Sequence, residues 1–253
     1  MPRYFIELAY DGSNLNGFQI QDNEPTVQGY VNDALSTLLK TPIETTTSSR
    51  TDAGVHALQN FLHADIEQPI PNSVVYNLNA ILPPSIAIKN IYLVPDDAHA
   101  RFDARYRKYA YKIHFSKNPF ILNKSFYYPF RVNFESLHTT AAIIKEYQDF
   151  TSFSKKHTDV KTFICRIEES YWELNGDSYT YHVQANRFLR GMVKALVGTQ
   201  LRIARNGTSP NQIRSIIESQ NCQLADFSPR SEGLFLENVI YPDELLANPL
   251  PHR

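Results

Sequence analysis

Strand-like and helix-like periodicities follow one another through the first hundred residues in an order that few folds accept. Tyr4-Phe5-Ile6-Glu7-Leu8-Ala9-Tyr10 reads as a strand and stops at the turn-forming Asp11-Gly12-Ser13. Thr26 caps a predicted helix with apolar residues at Val27, Tyr30, Val31, Ala34, Leu35, Leu38 and Leu39. That i, i+3, i+4, i+7 spacing lays one wide stripe along a single helical face. Pro42 ends the helix. β-Branched residues from Ile43 to Thr47, a strand over 58–66, a short helix over 72–81 and a strand from Ile86 to Val94 follow. The order is β-α-β-β-α-β, the split βαβ pattern of ferredoxin-like folds.

The second half repeats this order loosely. A strand is predicted from Lys108 to Phe115, with Tyr109, Tyr111, Ile113 and Phe115 on one face, then a helix near 133–147. A hairpin pairs Thr162–Leu174 with Ser178–Ala185 across Asn175-Gly176-Asp177. A helix over 187–203, a helix opened by Ser209-Pro210 as N-cap and N1, and a strand from Leu234 to Tyr241 complete it. The expected fold class is α+β: two ferredoxin-like, RRM-like halves with antiparallel sheets joined around a central cleft. The halves are divided as 1–97 and 98–253, with no Gly/Ser/Pro linker between them.

Net charge is −1, but it is unevenly spread. Residues 1–100 carry 4 basic and 11 acidic side chains, residues 101–253 carry 21 and 15, so the halves stand at −7 and +6. The second half would attract a polyanion that the first repels. No apolar run is long enough for a bilayer, so no membrane partner is expected. The first residues pass straight into a strand without a signal-peptide core, and the two cysteines, Cys165 and Cys222, form no CxxC. A reducing, cytoplasmic setting is the expectation.

Three stretches carry residue types suited to chemistry. Ser49-Arg50-Thr51-Asp52-Ala53-Gly54-Val55-His56-Ala57 joins two β-rich segments and is therefore a loop. Asp52 there is a nucleophile, a base, or an Asx-turn cap; spacing alone favours the cap. His99 to Tyr111 interleaves five basic side chains with aromatics, as phosphate neutralisation and base stacking require, although Tyr109 and Tyr111 equally suit the buried face of a strand. Arg187, Arg190 and Lys194 fall at i, i+3 and i+7 of the predicted helix, and from Arg187 to Arg205 there are five basic residues and no acidic one. There is no GxGxxG, GxxxxGK[ST] or HExxH, and the cysteines cannot supply the zinc set of a nucleobase deaminase. Neither cofactor nor metal is expected.

Taken together, these stretches resemble the bacterial tRNA pseudouridine synthase A family over nearly the full length. The resemblance rests on Tyr10-Asp11-Gly12-Ser13, Arg50-Thr51-Asp52-Ala53-Gly54-Val55-His56, Pro95-Asp96-Asp97-Ala98-His99-Ala100-Arg101-Phe102 and Phe150-Thr151-Ser152-Phe153. Gly191-Met192-Val193-Lys194, Val197-Gly198-Thr199 and Glu232-Gly233-Leu234-Phe235-Leu236 continue it. It implies Asp52 as nucleophile, which displaces the turn-cap reading. It further implies Tyr109 stacked on the target uracil and concerned in removing the C5 proton, and Lys194 as cationic partner of Asp52. Substrate contacts are implied for Arg50, His56, Arg101, Arg187 and Arg190. It implies a homodimer that isomerises uridines at positions 38 to 40 in the anticodon arm of tRNA. The sequence departs at Phe18-Gln19-Ile20-Gln21, where the family usually has Trp-Gln-Arg-Gln, and at Lys194, where arginine is common.

Isomerisation exchanges an N–C for a C–C glycosidic bond with no redox change, in keeping with the missing cofactor motifs. The carboxylate attacks either C6 of uracil or C1′ of ribose. Two other classes compete: a non-catalytic RNA-binding module on an RRM-like sheet, and a nucleoside hydrolase using a second carboxylate, for which Asp65, expected on the solvent side of its strand, is the nearest candidate.

Overall fold

The computed structural model of the chain describes residues 1–155 and 160–251. They form two compact units, Met1–Arg105 together with the chain from Leu236 onward, and Tyr106–Phe235. The first unit begins with β1 (Arg3–Tyr10), α1 (Val27–Leu39), β2 (Thr46–Thr47), β3 (His56–Asp65), α2 (Val74–Ile81) and β4 (Ile86–Val94). The second contains β5 (Tyr106–His114), β6 (Phe126–Tyr127), α3 (Phe134–Ile144), β7 (Ile167–Asn175), β8 (Ser178–Ala185), α4 (Met192–Asn206) and α5 (Gln212–Glu218). A last strand, β9 (Leu234–Ile240), carries the chain back into the first unit. The protein is thus α+β, and among the described residues no helix is long and apolar enough to cross a membrane.

In the first unit the strands lie in the order β4-β1-β3-β9, with β2 on β3. β1 is antiparallel to both neighbours, pairing Arg3 with Asp65 and Val94, and Tyr10 with Ala57 and Ile86. Helices cover it because α1 keeps its stripe: Val27, Val31, Ala34 and Leu35 are buried. The Thr26 hydroxyl accepts from Gly29 N–H, satisfying one of the donors a helix start leaves open. The returning chain is anchored by Tyr241, whose ring meets Phe5 and Phe61 at 5.3 and 5.0 Å between centroids. Glu7 is buried in β1 and accepts from Gln59, Asn90 and Tyr92 at 2.7–2.9 Å, so its carboxylate keeps the hydrogen bonds that water would have supplied.

In the second unit β5 pairs antiparallel with β8 (Tyr109 opposite Val183), β8 with β7, and β6 parallel with the end of β5. The β7–β8 hairpin closes from Asn175 to Ser178, with Gly176 at φ +59°, as the Asn-Gly signal predicts. α4 is buried nearly all round, and its Gln200 Oε1 accepts from Trp172 Nε1 at 2.9 Å.

Three sequence expectations are corrected. The strand read from Ile43 to Thr47 shrinks to Thr46–Thr47. The last short helix starts at Gln212 rather than Ser209, because Ser209 and Pro210 spend their carbonyls on a preceding turn. The helix expected from 187 begins at Met192. Gly191 before it has φ +76°, outside helical geometry, so Arg187 and Arg190 lie on the loop from β8 and share no helical face with Lys194.

Candidate active site

Asp52 stands on the loop between β2 and β3, whose backbone is gripped on both sides. Ser48 N–H donates to Phe61 O at 2.8 Å, tying the loop entry to β3. The segment after β1 then clamps it: Phe18 N–H donates to Thr51 O (3.0 Å) and Gly54 N–H to Leu15 O (3.3 Å). Asp52 O accepts from Val55 N–H at 3.2 Å, closing a turn whose third residue, Gly54, has φ +77°. Residues with a Cβ are strained there. Gly12 allows the close approach of β1's turn, since a Cβ on it would lie 2.0 Å from Val55 O.

Side chains complete the grip. The Tyr10 hydroxyl lies 2.8 Å from Thr51 Oγ1. Asn60 Nδ2 donates to Ser49 O at 2.9 Å and reaches the Tyr10 hydroxyl at 3.3 Å. Tyr10, Thr51 and Asn60 are all buried, whereas the Asp52 side chain is half-buried and Arg50 and Ala53 are exposed. The result is a fixed main chain that presents the half-buried Asp52 side chain. Sequence reasoning missed Tyr10 and Asn60 as supports; the buried polar ends of two adjacent strands are visible only once the strands are paired.

The remaining expected residues of this unit lie elsewhere. His56 opens β3 and is 1% exposed. Its Nδ1 is 3.2 Å from Gly12 N and 3.1 Å from Asp11 Oδ1, so that nitrogen accepts from one or donates to the other, and either way it binds β1's turn to β3. Arg101 lies near the opposite end of the sheet. Arg3 Nη1 donates to Ala98 O there, and the seven steps of β1 from Arg3 to Tyr10 span roughly 23 Å at ~3.3 Å each. Arg101 is exposed, its guanidinium 5.7 Å from the Phe102 ring centroid. Asp65 is at that end as well, held by Arg3 through two bonds of 2.7 and 2.8 Å. The Arg3 hydrogen bond keeps its carboxyl below the usual range. A general acid beside Asp52 would need a raised value and a separation of about 5–10 Å, so Asp65 fits neither requirement of the hydrolase reading.

In the second unit, Tyr109 sits on β5, 8% exposed, with Phe188 edge-on at 5.1 Å between ring centroids. Phe188 belongs to the loop bearing Arg187 and Arg190, which is pinned where Arg107 Nη1 donates to Asn186 O (3.1 Å) and Lys155 N–H to Arg190 O (3.1 Å). Arg187 is half-buried and Arg190 exposed. Lys194, half-buried in the first turn of α4, points its Nζ to Ser231 Oγ at 3.4 Å. Phe18, one of the departures, is fully buried against Tyr10 at 5.7 Å between centroids, so it acts as a floor under the Asp52 loop; Ile20 is exposed. Among the described residues no group of three His, Cys, Asp or Glu side chains is placed to hold a metal ion.

Comparison with known proteins adds to this geometry. The family model described as tRNA pseudouridine synthase matches residues 8–103 and 147–242. The tRNA pseudouridine synthase A of Parabacteroides distasonis is 43% identical over 247 residues, covering 97% of this chain and 98% of the relative. That of Bacteroides fragilis is 44% identical over 251 residues, with 97% and 98% covered. That of Staphylococcus saprophyticus is 32% identical over 250 residues, with 97% and 94% covered.

Proposed function

The chain belongs to the tRNA pseudouridine synthase family and isomerises uridine to pseudouridine in tRNA, and on that premise we propose that its targets are uridines at positions 38 to 40 of the anticodon stem-loop, with Asp52 as nucleophile. The observation that carries the proposal is the half-buried Asp52 side chain on a main chain fixed from both sides. Pre-set geometry of this kind turns a carboxylate into an effective nucleophile, because little freedom is lost on reaching the reactive pose. Attack on the target nucleotide calls for a carboxylate as the activated nucleophile, which an aspartate supplies.

Each remaining role follows from a chemical need. A uridine in a stem-loop leaves its stack at a cost of a few kcal/mol. Tyr109, its ring held by Phe188, offsets part of that by stacking on uracil, worth roughly 1–3 kcal/mol. Lys194 supplies the cation that keeps the aspartate ionised once the base displaces water. Arg50, Arg187 and Arg190 take the phosphates flanking the flipped nucleotide, while His56 positions the catalytic loop and Arg101 serves RNA further away. The first unit carries the catalytic loop; the second, more basic one carries most of the RNA contacts. The enzyme works in the cytoplasm as a homodimer and without a cofactor.

Position-resolved mapping of unmodified tRNA transcripts tests this reading. The wild-type enzyme is expected to leave pseudouridine at positions 38 to 40 and no free uracil. Asp52→Ala is expected to bind the same tRNA and leave none. Modification at other positions, or retained by Asp52→Ala, overturns it.

A further inference from the structure

The basic residues of α4 fall into two groups. Lys194 belongs to the catalytic reading; Arg202 and Arg205, two and three turns further on, have no part in it. They form one wall of a groove of about 570 Å³ in the second unit, facing Tyr127 at the end of β6 and Phe130 just beyond it. A third wall runs through Asp226 and Arg230 to Glu232.

The walls are built firmly. Asp226 N–H donates to Thr199 Oγ1 of α4 at 3.0 Å, and the Tyr111 hydroxyl donates to Arg230 O at 2.6 Å. Arg202 Nη2 donates to Leu224 O. The Arg205 guanidinium lies 3.4 Å from the centroid of the Phe130 ring, a cation on an aromatic face. Tyr127 and Phe130 nonetheless stay 44% and 40% exposed. Among the described residues, Arg202, Arg205 and Arg230 form no ion pair, although Asp226 and Glu232 share the groove; Asp226 Oδ1 accepts from Ser228 N–H at 2.9 Å. Arg205 is favourably placed at the helix C-terminus in any case, but that does not explain three arginines facing exposed aromatics.

Arginines lacking carboxylate partners beside exposed rings match a phosphodiester backbone: the fork takes phosphate oxygens and the rings take sugar or base faces. Ser231, which Lys194 touches, adjoins Arg230 and Glu232, so the groove begins beside the catalytic lysine. From Lys194 to Arg205 the helix rises roughly 16 Å at ~1.5 Å per residue. A stacked strand advances ~3.4 Å per nucleotide, so this distance spans about five nucleotides. We infer that the groove is a second RNA-binding surface, where Arg202 and Arg205 grip the tRNA backbone about five nucleotides from the target uridine. It rests on the reading of Lys194 as part of a tRNA-modifying site.

Binding of unmodified tRNA by the full-length enzyme, measured over a series of salt concentrations, is the test. The double variant Arg202→Ala/Arg205→Ala is expected to bind about tenfold or more weakly, with the slope of log affinity against log salt shallower by about 1.4–1.8. Its single-turnover rate at saturating tRNA is expected to stay within about twofold, since the lost contacts are made equally in ground and transition states. Arg205→Lys keeps the charge and is expected to restore about half of the slope to Arg202→Ala/Arg205→Lys, which separates lost contact from misfolding. An unchanged salt slope in the double variant overturns the inference. So does a fall in solution mass with tRNA binding intact, which would give the groove to a second copy of the chain. Failure of the catalytic reading shows separately, as wild-type enzyme that binds tRNA and leaves no pseudouridine.

Discussion

Replacing Tyr10 by phenylalanine removes one oxygen atom from beneath the Asp52 loop and leaves the ring on Phe18. The lost hydroxyl is 2.8 Å from Thr51 Oγ1 and 3.3 Å from Asn60 Nδ2. Asn60 keeps its bond to Ser49 O, so the main damage is to Thr51, buried and adjacent to the nucleophile. A net hydrogen bond contributes about 1 kcal/mol, and a stranded buried hydroxyl costs somewhat more, so the expected loss is about 1–2 kcal/mol. Thermal unfolding should shift down by about 2–8 °C. If the same energy is expressed as displacement of Asp52 from its reactive pose, kcat falls about 5- to 30-fold. KM should hold, because the Tyr10 hydroxyl is spent on the buried Thr51 and Asn60 beneath the loop. Tritium release from C5-labelled uridine in tRNA reads kcat directly. A double-mutant cycle with Thr51→Val should return a coupling of at least about 0.5 kcal/mol. A Tyr10→Phe enzyme with lowered stability and full kcat would refute the reasoning, since the main-chain clamps from Leu15 and Phe18 would then suffice to aim the carboxylate.

Lys194→Ala should lower activity more than Lys194→Arg, measured as pseudouridine formed per enzyme in single turnover; equal activity of all three forms would remove the cation from the mechanism. Tyr109→Phe keeps the ring against Phe188 and should bind tRNA within about twofold of wild type while losing rate, because stacking needs only the ring face. Burial, chiefly, lowers the His63 pKa to about 4. The unfolded chain takes up that proton near pH ~6.5 and the folded one resists it, so the unfolded state binds more protons in between. Stability should therefore be full above pH 6.5 and fall as pH drops towards 4. Urea melts of His63→Gln, able to accept from Ala100 N–H as His63 Nδ1 does, should show a flatter dependence.

Much of this molecule can be read before it is folded, and the limits follow physical lines. β4 occupies the residues its alternation marks, and α1 begins at its capping threonine, because both signals are local. The Asp52 loop is legible because glycine geometry and a run of unusual residues coincide in nine positions. What fails is non-local or hidden in a single dihedral. Gly191 reads as one more residue of an amphipathic run, yet its positive φ detaches two arginines from the helix. His56 and Arg101 carry the right functional groups, but strand register, not spacing, buries the first under Asp11 and sends the second to the far end of the sheet. The Tyr10–Thr51–Asn60 contacts join residues 41 and 50 positions apart, a separation no periodicity reports.

The return of the chain at Leu236 has a consequence for biosynthesis. On a ribosome, the segment that supplies β9 and Tyr241 emerges only after the whole of the second unit. The nested unit can therefore close while its host is still waiting for β9, and Phe5 and Phe61 stay without the Tyr241 ring until that residue has been made. Nascent chains stalled before codon 236 should accordingly protect the nested segment from protease while the leading hundred residues remain open to cleavage.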